Sequence, residues 1–391
     1  ACRHIYYFMK NATIRKKTTA YSGYKQTLLD AKQKCKSILE KAAGEDAPIF
    51  CAMILGEKKE LDPEMRMRYQ LAGIVHILAI SGLHISILGM GLYELLKKTG
   101  LGIWPAGMLS LAAMLQYGML TGGSVSTMRA VIMFLIAMGA RISGRIYDMQ
   151  SALAVTAMLI LAEAPAYLLD SGFLLSFGCV LGAGTASDRL CAFVDAKGKR
   201  MKVLISSVAI QLVTLPVMLK FFGEVSVIGL LLNLVVLPST GVVLGCGTTA
   251  VLLGFFSIPA ARLVILPARG LLHVYEALCI WAGRSKFSTW IGGEPEAWQI
   301  LVYYVLLFTV LVMGQYIKEN LSGEQTKNRR RRLRTARAVS GTLLITGILL
   351  VGFHKSGSLK VICLDVGQGD GILIETPGAH HFLIDGGSSS Q

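Results

Sequence analysis

Eleven apolar stretches, several approaching the length of a bilayer crossing, follow one another along this chain. Nothing else in the sequence limits the fold so strongly. A spanning helix needs about 20 mainly apolar residues at 1.5 Å each, and runs such as Val203–Leu219 and Ile300–Met313 approach that length with few or no charges. Charged residues make up only 16% of the chain against 53% hydrophobic, where a soluble domain carries roughly a quarter charged. A single water-soluble globule is excluded. The fold class expected is an all-α polytopic membrane protein: a helical bundle with partial extracytoplasmic β-containing segments at both ends.

The stretches are Gly73–Leu92, Ile103–Leu120, Met128–Ala140, Ser151–Leu169, Gly172–Ala186, Val203–Leu219, Val225–Leu237, Val242–Phe256, Leu263–Ala282, Trp298–Ile317 and Val339–Phe353. Short loops join the first five, so consecutive helices should be antiparallel neighbours. Residues 1–45 differ in texture, with ten Lys or Arg against Asp30, Glu40 and Glu45. Ile5–Phe8 reads as a short strand, and Tyr24–Ala43 as an amphipathic surface helix ended by Gly44. From Leu359 the pattern changes again. Leu359–Val366 alternates, and Gly371–Glu375 and His381–Ile384 are short apolar runs between turn residues, which is the beginning of a sheet domain.

Charge sets the expected topology. The net charge is +15, from 39 basic and 24 acidic residues, and it has two readings: loops obeying the positive-inside bias, or a surface that attracts nucleic acid. Under the first, Asp195–Lys202 and Lys327–Arg337 are cytoplasmic loops. Residues 1–70 and everything after His354 are then outside, with Lys97–Lys98 and Arg141–Arg145 inside. Between the two basic loops the chain must cross an even number of times, yet five stretches lie there. Either Val225–Leu237, ending at Pro238, is half of a broken helix, or Leu263–Ala282, with Arg269, His273 and Glu276, lies in the interface.

Polar residues inside apolar sequence mark where chemistry can reside, since ionisable side chains at membrane depth are costly and tend to face a bundle interior or water. The densest cluster holds His76, Ser81, Gly82, His84 and Ser86. On one continuous helix the two histidines would lie about 12 Å apart along the axis and roughly 80° apart around it. They cannot then share a metal. Ser81-Gly82 is a candidate helix break, although two neutral histidines hydrogen-bonded within the bundle account for the spacing equally well. The loop Thr121–Thr127 leads into a span at Arg129. It is able to receive an anion such as a phosphate, or serves simply as a helix cap with a snorkelling arginine. Gln211 and Asn233 suit interhelical hydrogen bonds, and Pro216 and Pro238 should kink or end their helices.

The eight cysteines include no Cys-x-x-Cys pair, which argues against a zinc ribbon or redox pair. Cys179, Cys246 and Cys279 read as small core residues. His380-His381 makes a poor bidentate metal pair on a strand, no His-x-His-x-Asp-His run is present, and no metal site is assigned. The chain opens on Ala1 without a signal-type apolar region, so the natural start is expected upstream.

Together these motifs resemble the ComEC family of competence proteins. The likeness rests on Ala72-Gly73-Ile-Val-His76-Ile-Leu-Ala-Ile-Ser81-Gly82-Leu83-His84-Ile, followed in order by Arg129-Ala-Val-Ile-Met133, Asp148, Pro165, Ser171-Gly172-Phe173-Leu-Leu175-Ser176-Phe177, Gln211 with Thr214-Leu-Pro216, and Asn233 with Pro238. It implies a channel translocating single-stranded DNA across the bacterial cytoplasmic membrane during natural transformation, with a DNA receptor and a cytoplasmic helicase-like motor as partners. Residues 46–317 correspond to the competence transmembrane domain, and 1–45 to the end of an external oligonucleotide-binding-like region with its linker. Residues 318–354 form a basic cytoplasmic loop and the last transmembrane helix. Residues 355–391, with Asp365, Gln368, Asp370 and Asp385 in the motifs, look like the start of a metallo-β-lactamase-like domain. No cofactor is expected in this chain. The resemblance places a divalent metal, zinc or manganese, in the part of that domain expected beyond Gln391.

A single strand carries one charge per nucleotide, so its passage through hydrocarbon requires a polar-lined path, and sequence-independent passage favours weak repeated contacts over tight pairing. On this reading His76, Ser81, Gly82, His84, Arg129, Gln211 and Asn233 line or shape the DNA path. Two alternatives belong to other classes: a membrane-anchored metallo-β-lactamase-fold nuclease or hydrolase, and a small-solute transporter that binds at the Ser81-Gly82 break.

Overall fold

The computed structural model describes residues 22–194, 198–285, 288–321, 327–353, 359–363, 371–375 and 381–385. The strand expected at Ile5–Phe8 lies outside them, as do Asp365, Gln368 and Asp370.

The chain is helical almost throughout. Helix α1 (Gly23–Ala43) ends where Gly44 takes a φ of 61°, a left-handed backbone that glycine adopts without steric cost. Only its last turns are buried, through Ile38, Leu39, Ala42 and Ala43, so α1 is a surface helix for half its length and a core element for the rest. The sequence reading placed nothing between Pro48 and Gly73. The structure forms there a short α2 (Ala47–Phe50), a π-helical turn at Cys51–Leu55 and α3 (Pro63–Leu71). Phe50 through Leu55 are at most 5% exposed. This run is too short to read as a span, but it is apolar enough to be drawn into the core.

The next elements are α4 (Gly82–Lys98), α5 (Ile103–Leu120), α6 (Val125–Ile142) and α7 (Met149–Glu163). A 3-10 turn at Pro165–Leu169 separates α7 from α8 (Ser171–Leu181), and a π-helical turn joins α8 to α9 (Ser187–Val194). That turn begins at Gly182, where a Cβ would stand 2.7 Å from the Ile210 Cα of the neighbouring helix. Ser151–Leu169 is therefore shorter as a helix than its hydropathy indicated, because Pro165 lacks the N–H that would continue it. Aspartates begin three of these helices: Asp62 accepts from the Glu64 and Met65 amides, Asp148 from Ser151 and Asp170 from Phe173, which satisfies donors that a helix start leaves open.

Beyond them run α10 (Lys199–Phe222), α11 (Gly229–Gly254), α12 (Ile258–Gly283), α13 (Ala297–Leu321) and α14 (Lys327–Val351). Here the structure corrects three expectations. Val225–Leu237 and Val242–Phe256 are not separate segments; from Gly229 on they form one helix of 26 residues with Pro238 inside it. The hydroxyls of Ser239 and Thr240 donate back to the Val235 and Val236 carbonyls at 2.6 and 2.7 Å, so polar groups around the proline are met within the helix. Leu263–Ala282 belongs to a 26-residue helix. Four helices, α10 to α13, now lie between the two basic segments, and the odd crossing disappears. Finally, Lys199–Lys202 and the whole of Lys327–Arg337 are helical rather than loop, since Arg, Lys and Ala are good helix formers and neither run contains a proline or glycine.

Among the described residues seven helices, α5, α6 and α10–α14, are long and apolar enough to cross a membrane. The chain is a multi-pass membrane protein. Two short strands, β1 (Glu224–Ser226) and β2 (Thr289–Ile291), pair antiparallel and tie the start of α11 to the segment before α13. At the end β3 (Lys360–Cys363), β4 (Ile372–Glu375) and β5 (His381–Ile384) form an antiparallel meander in that order, as the alternation indicated.

Packing divides the core. Leu39, the Cys51–Leu55 turn and the facing sides of α11 and α12 share one cluster. A second joins α4, α5 and α6 through Ile85, Met114, Phe134 and Met138, and a third joins α10, α13 and α14. Tyr117 of α5 donates to the Ile54 carbonyl at 2.7 Å and links the first two. Of the three cysteines read as core, Cys279 is buried, Cys246 half-buried and Cys179 exposed.

Candidate functional site at the helix break

The apolar stretch Gly73–Leu92 is not one helix. A 3-10 turn, Val75–Leu78, is followed by extended residues and then by α4, whose N-cap is Ser81. The continuous-helix spacing of the two histidines therefore does not apply. His84, three residues into α4, turns back on the break. The Ser81 amide donates to its Nδ1 at 3.2 Å, and the Ser81 hydroxyl lies 2.8 Å from the same atom. A backbone N–H can only donate, so Nδ1 accepts and the proton of a neutral ring sits on Nε2. His84 is 1% exposed, and Nε2 is buried with no partner.

Arg129 closes the other side. It lies in the first turns of α6, whose N-cap Ser124 accepts from the Thr127 amide. The guanidinium is 6% exposed, donates through Nη1 to the Ser176 carbonyl of α8 at 2.8 Å, and lies 5.9 Å from the Phe177 ring centre. Gly82 abuts it: a Cβ there would stand 3.2 Å from Nη2. One side chain thus holds together the start of α4 and the middle of α8. Its Nε is buried without a partner.

A cavity of about 50 Å³ lies against the break, bordered by His76, Ile77, Ser81, His84, Leu237 and Thr240. At roughly 10–15 Å³ for each water centre it admits a few waters. It does not admit a nucleotide, and two of its lining residues, His76 and Leu83, are themselves exposed.

Of the residues singled out in the sequence, His76, Ser81 and His84 border this cavity, with Gly82 and Arg129 beside them. Gln211 does not; its side-chain amide donates to the Ser226 carbonyl at 3.0 Å and ties α10 to β1. Asn233 lies on α11, one turn before Leu237, and its Oδ1 is buried without a partner. Asp385 follows β5, exposed, with a φ of 56°. Sequence reasoning missed Ser176, Phe177, Leu237 and Thr240 as site residues. The first two stood in a quoted motif, but nothing in the sequence says that this motif meets Arg129.

Electrostatics follow from the geometry. The N-termini of α4 and α6 both approach Arg129, and each contributes partial positive charge, so the break is an electropositive spot inside an apolar bundle. It is suited to weak contact with an anion. Among the described residues, no three His, Cys, Asp or Glu side chains converge as a metal site.

A polytopic helical membrane protein with a capped polar break in one of its apolar stretches is the class that fold and site define. The family model described as competence protein matches residues 53–316, which takes in the break, the candidate spans α5, α6 and α10–α12 and most of α13, and the chain belongs to that family. It is 27% identical over 353 residues to ComE operon protein 3 of Bacillus subtilis (strain 168), covering 87% of this chain and 42% of that protein. With competence protein ComA of Neisseria gonorrhoeae it shares 29% over 196 residues, covering 48% of this chain and 28% of that protein. The chain spans less than half the length of either curated relative. No solved structure matches it.

Proposed function

We propose that the chain forms the membrane path by which single-stranded DNA crosses the bacterial cytoplasmic membrane in natural transformation. The observation that carries this reading is that three of the six buried side-chain polar atoms without partners among the described residues, His84 Nε2, Arg129 Nε and Asn233 Oδ1, belong to residues at the break or on the helix beside it. A buried donor or acceptor left without a hydrogen bond costs about 1–3 kcal/mol. Water in the adjoining cavity would satisfy His84, and a passing phosphate would meet the donors of His84 and Arg129 in turn. The description of the matching family model and the name of the Neisseria gonorrhoeae relative, both competence protein, support the same reading.

Passage requires the break to widen. Gly82 and Arg129 are where α4, α6 and α8 meet, so separation there enlarges the cavity while both helix N-termini remain directed toward it. Contacts of this kind are few and weak, which lets a strand move on rather than lodge. A DNA receptor outside and a helicase-like motor inside would deliver and draw the strand.

A second reading rests on the β3–β5 meander: the spans anchor an external hydrolase whose fold continues from this sheet. Asp365, Gln368 and Asp370 lie outside the described residues, and no step is assigned through a zinc or manganese ion. One experiment separates the readings. Cells lacking the gene are complemented with the full-length parent or with Arg129→Gln at matched expression, and labelled DNA is scored separately for import and for degradation of the other strand. Import lost with degradation retained supports the channel. Degradation lost with import retained supports the anchored hydrolase and overturns the channel.

A further inference from the structure

A second cationic site lies well away from the break. A cleft of about 480 Å³ opens between the last turn of α1 and the start of α12, lined by Lys41, Gly44, Arg262, Arg269 and the leucines Leu263 and Leu266. Two arginines of the apolar α12 and one lysine of α1 meet in it, although charge within a span is costly and normally paired. Only one of the three is neutralised. Arg269 Nε bonds the Asp46 carboxylate at 2.7 Å. Arg262 Nε donates instead to the Lys41 main-chain carbonyl at 2.9 Å, which fixes the guanidinium and caps the C-terminal end of α1 but leaves its charge uncompensated. Among the described residues no carboxylate pairs with Lys41 or Arg262. Glu45, in the adjoining turn, is exposed and does not line the cleft.

The apolar side of the cleft is as informative as the charge. Leu263 and Leu266 are 71% and 53% exposed, and Phe256, just before α12, is 92% exposed. In water this would be an unstable surface; against acyl chains it is a stable one. The cleft therefore offers two uncompensated cations and the N-terminus of α12 directly beside a lipid-facing apolar wall. We infer that it binds the headgroup of an anionic phospholipid, the phosphate held by Lys41 and Arg262 and the chains lying along Leu263 and Leu266. A free phosphate or a nucleic-acid strand would use the cations and leave the apolar wall unoccupied, so a lipid accounts for both halves of the site. Such an anchor would fix α1, and with it the segment leading to the break, at the membrane surface.

The test uses the full chain in neutral detergent, with native mass spectrometry reading retained phosphatidylglycerol against phosphatidylcholine. Lys41→Gln leaves the main-chain bond to Arg262 intact. Each of Lys41→Gln and Arg262→Gln should lower phosphatidylglycerol retention roughly five-fold, and the pair about thirty-fold, at about 1 kcal/mol for each cation near a headgroup. Lys41→Arg should retain it, and thermal melts should confirm that Lys41→Gln is folded. Equal retention of both lipids, or an undiminished preference in the folded Lys41→Gln and double variants, overturns the inference. So does competition by inorganic phosphate or by oligothymidine as effective as that by phosphatidylglycerol, which would assign the cations to a free anion or to the strand.

Discussion

His84 performs two tasks with two nitrogens, and a pair of substitutions separates them. Nδ1 accepts from the Ser81 amide and hydroxyl and so closes the first turn of α4, while Nε2 is buried beside the cavity without a partner. Asparagine places an acceptor oxygen where Nδ1 stands but has nothing at Nε2. Alanine has neither. Loss of one helix-start bond costs about 1 kcal/mol, and the space an alanine leaves beside an existing cavity adds further to that. Removal of an unpartnered buried donor costs nothing and relieves up to about 1–3 kcal/mol. His84→Asn should therefore melt within about 1 kcal/mol of the parent protein, and His84→Ala about 1–2 kcal/mol below His84→Asn, measured by circular dichroism in one detergent. DNA uptake, scored as transformants at matched expression of the full-length protein, should fall at least ten-fold in both, because both lack Nε2. Wild-type uptake by a stable His84→Asn protein would refute the argument from Nε2. Identical melting of the two variants would refute the capping role.

Other outcomes follow from the packing. Gly89 lies where α4 meets α5 and α6, and a Cβ there would stand 2.6 Å from Phe134 Cζ and 2.9 Å from Met114 Cγ; Gly89→Ala should destabilise by about 1–3 kcal/mol, visible as a lower melting temperature, and an unchanged melt would contradict that contact. Arg129→Met keeps length and bulk while removing the bond to Ser176 and the approach to Phe177, so stability should fall by no more than about 2 kcal/mol while uptake is abolished; uptake at the parental level would show that the guanidinium serves packing alone. The Ser151 hydroxyl and amide hold the Asp148 carboxyl below its usual range. Since its folded pKa is depressed, its stabilisation of α7 is present above the unfolded value of about 3.9 and is lost as pH falls through the folded one. Acid titration by circular dichroism should show a helix-loss step that Asp148→Asn, capping without ionising, lacks.

Some of this architecture is legible residue by residue. The apolar runs identify the membrane class, because hydropathy is a sum over neighbours in sequence and a helix satisfies its own backbone wherever it is placed. The bounds of α5, the Gly44 stop after α1 and the three terminal strands are local in the same sense. Pro238 misled because its effect depends on what its neighbours offer: the Ser239 and Thr240 hydroxyls let α11 continue through a residue that normally marks a boundary. The buried run Ala47–Leu55 was invisible, since nine apolar residues are neither a span nor a loop until α11 and α12 are present to cover them. Ser81-Gly82 was readable as a break, but its cap was not, because His84 has equal access to a helix face and to the residue behind it.

Composition and periodicity alone determined that this chain crosses a membrane repeatedly and where its polar residues interrupt the apolar ones. Tertiary structure alone decided that Arg129 meets Ser176 across 47 residues of sequence, that Gln211 turns to a strand instead of the break, and that His84 and Asn233 retain unpartnered atoms. The physical reason is the range of the interactions. Partition into lipid is set by each segment for itself, whereas a hydrogen bond acts over about 3 Å and exists only once two helices have been brought together.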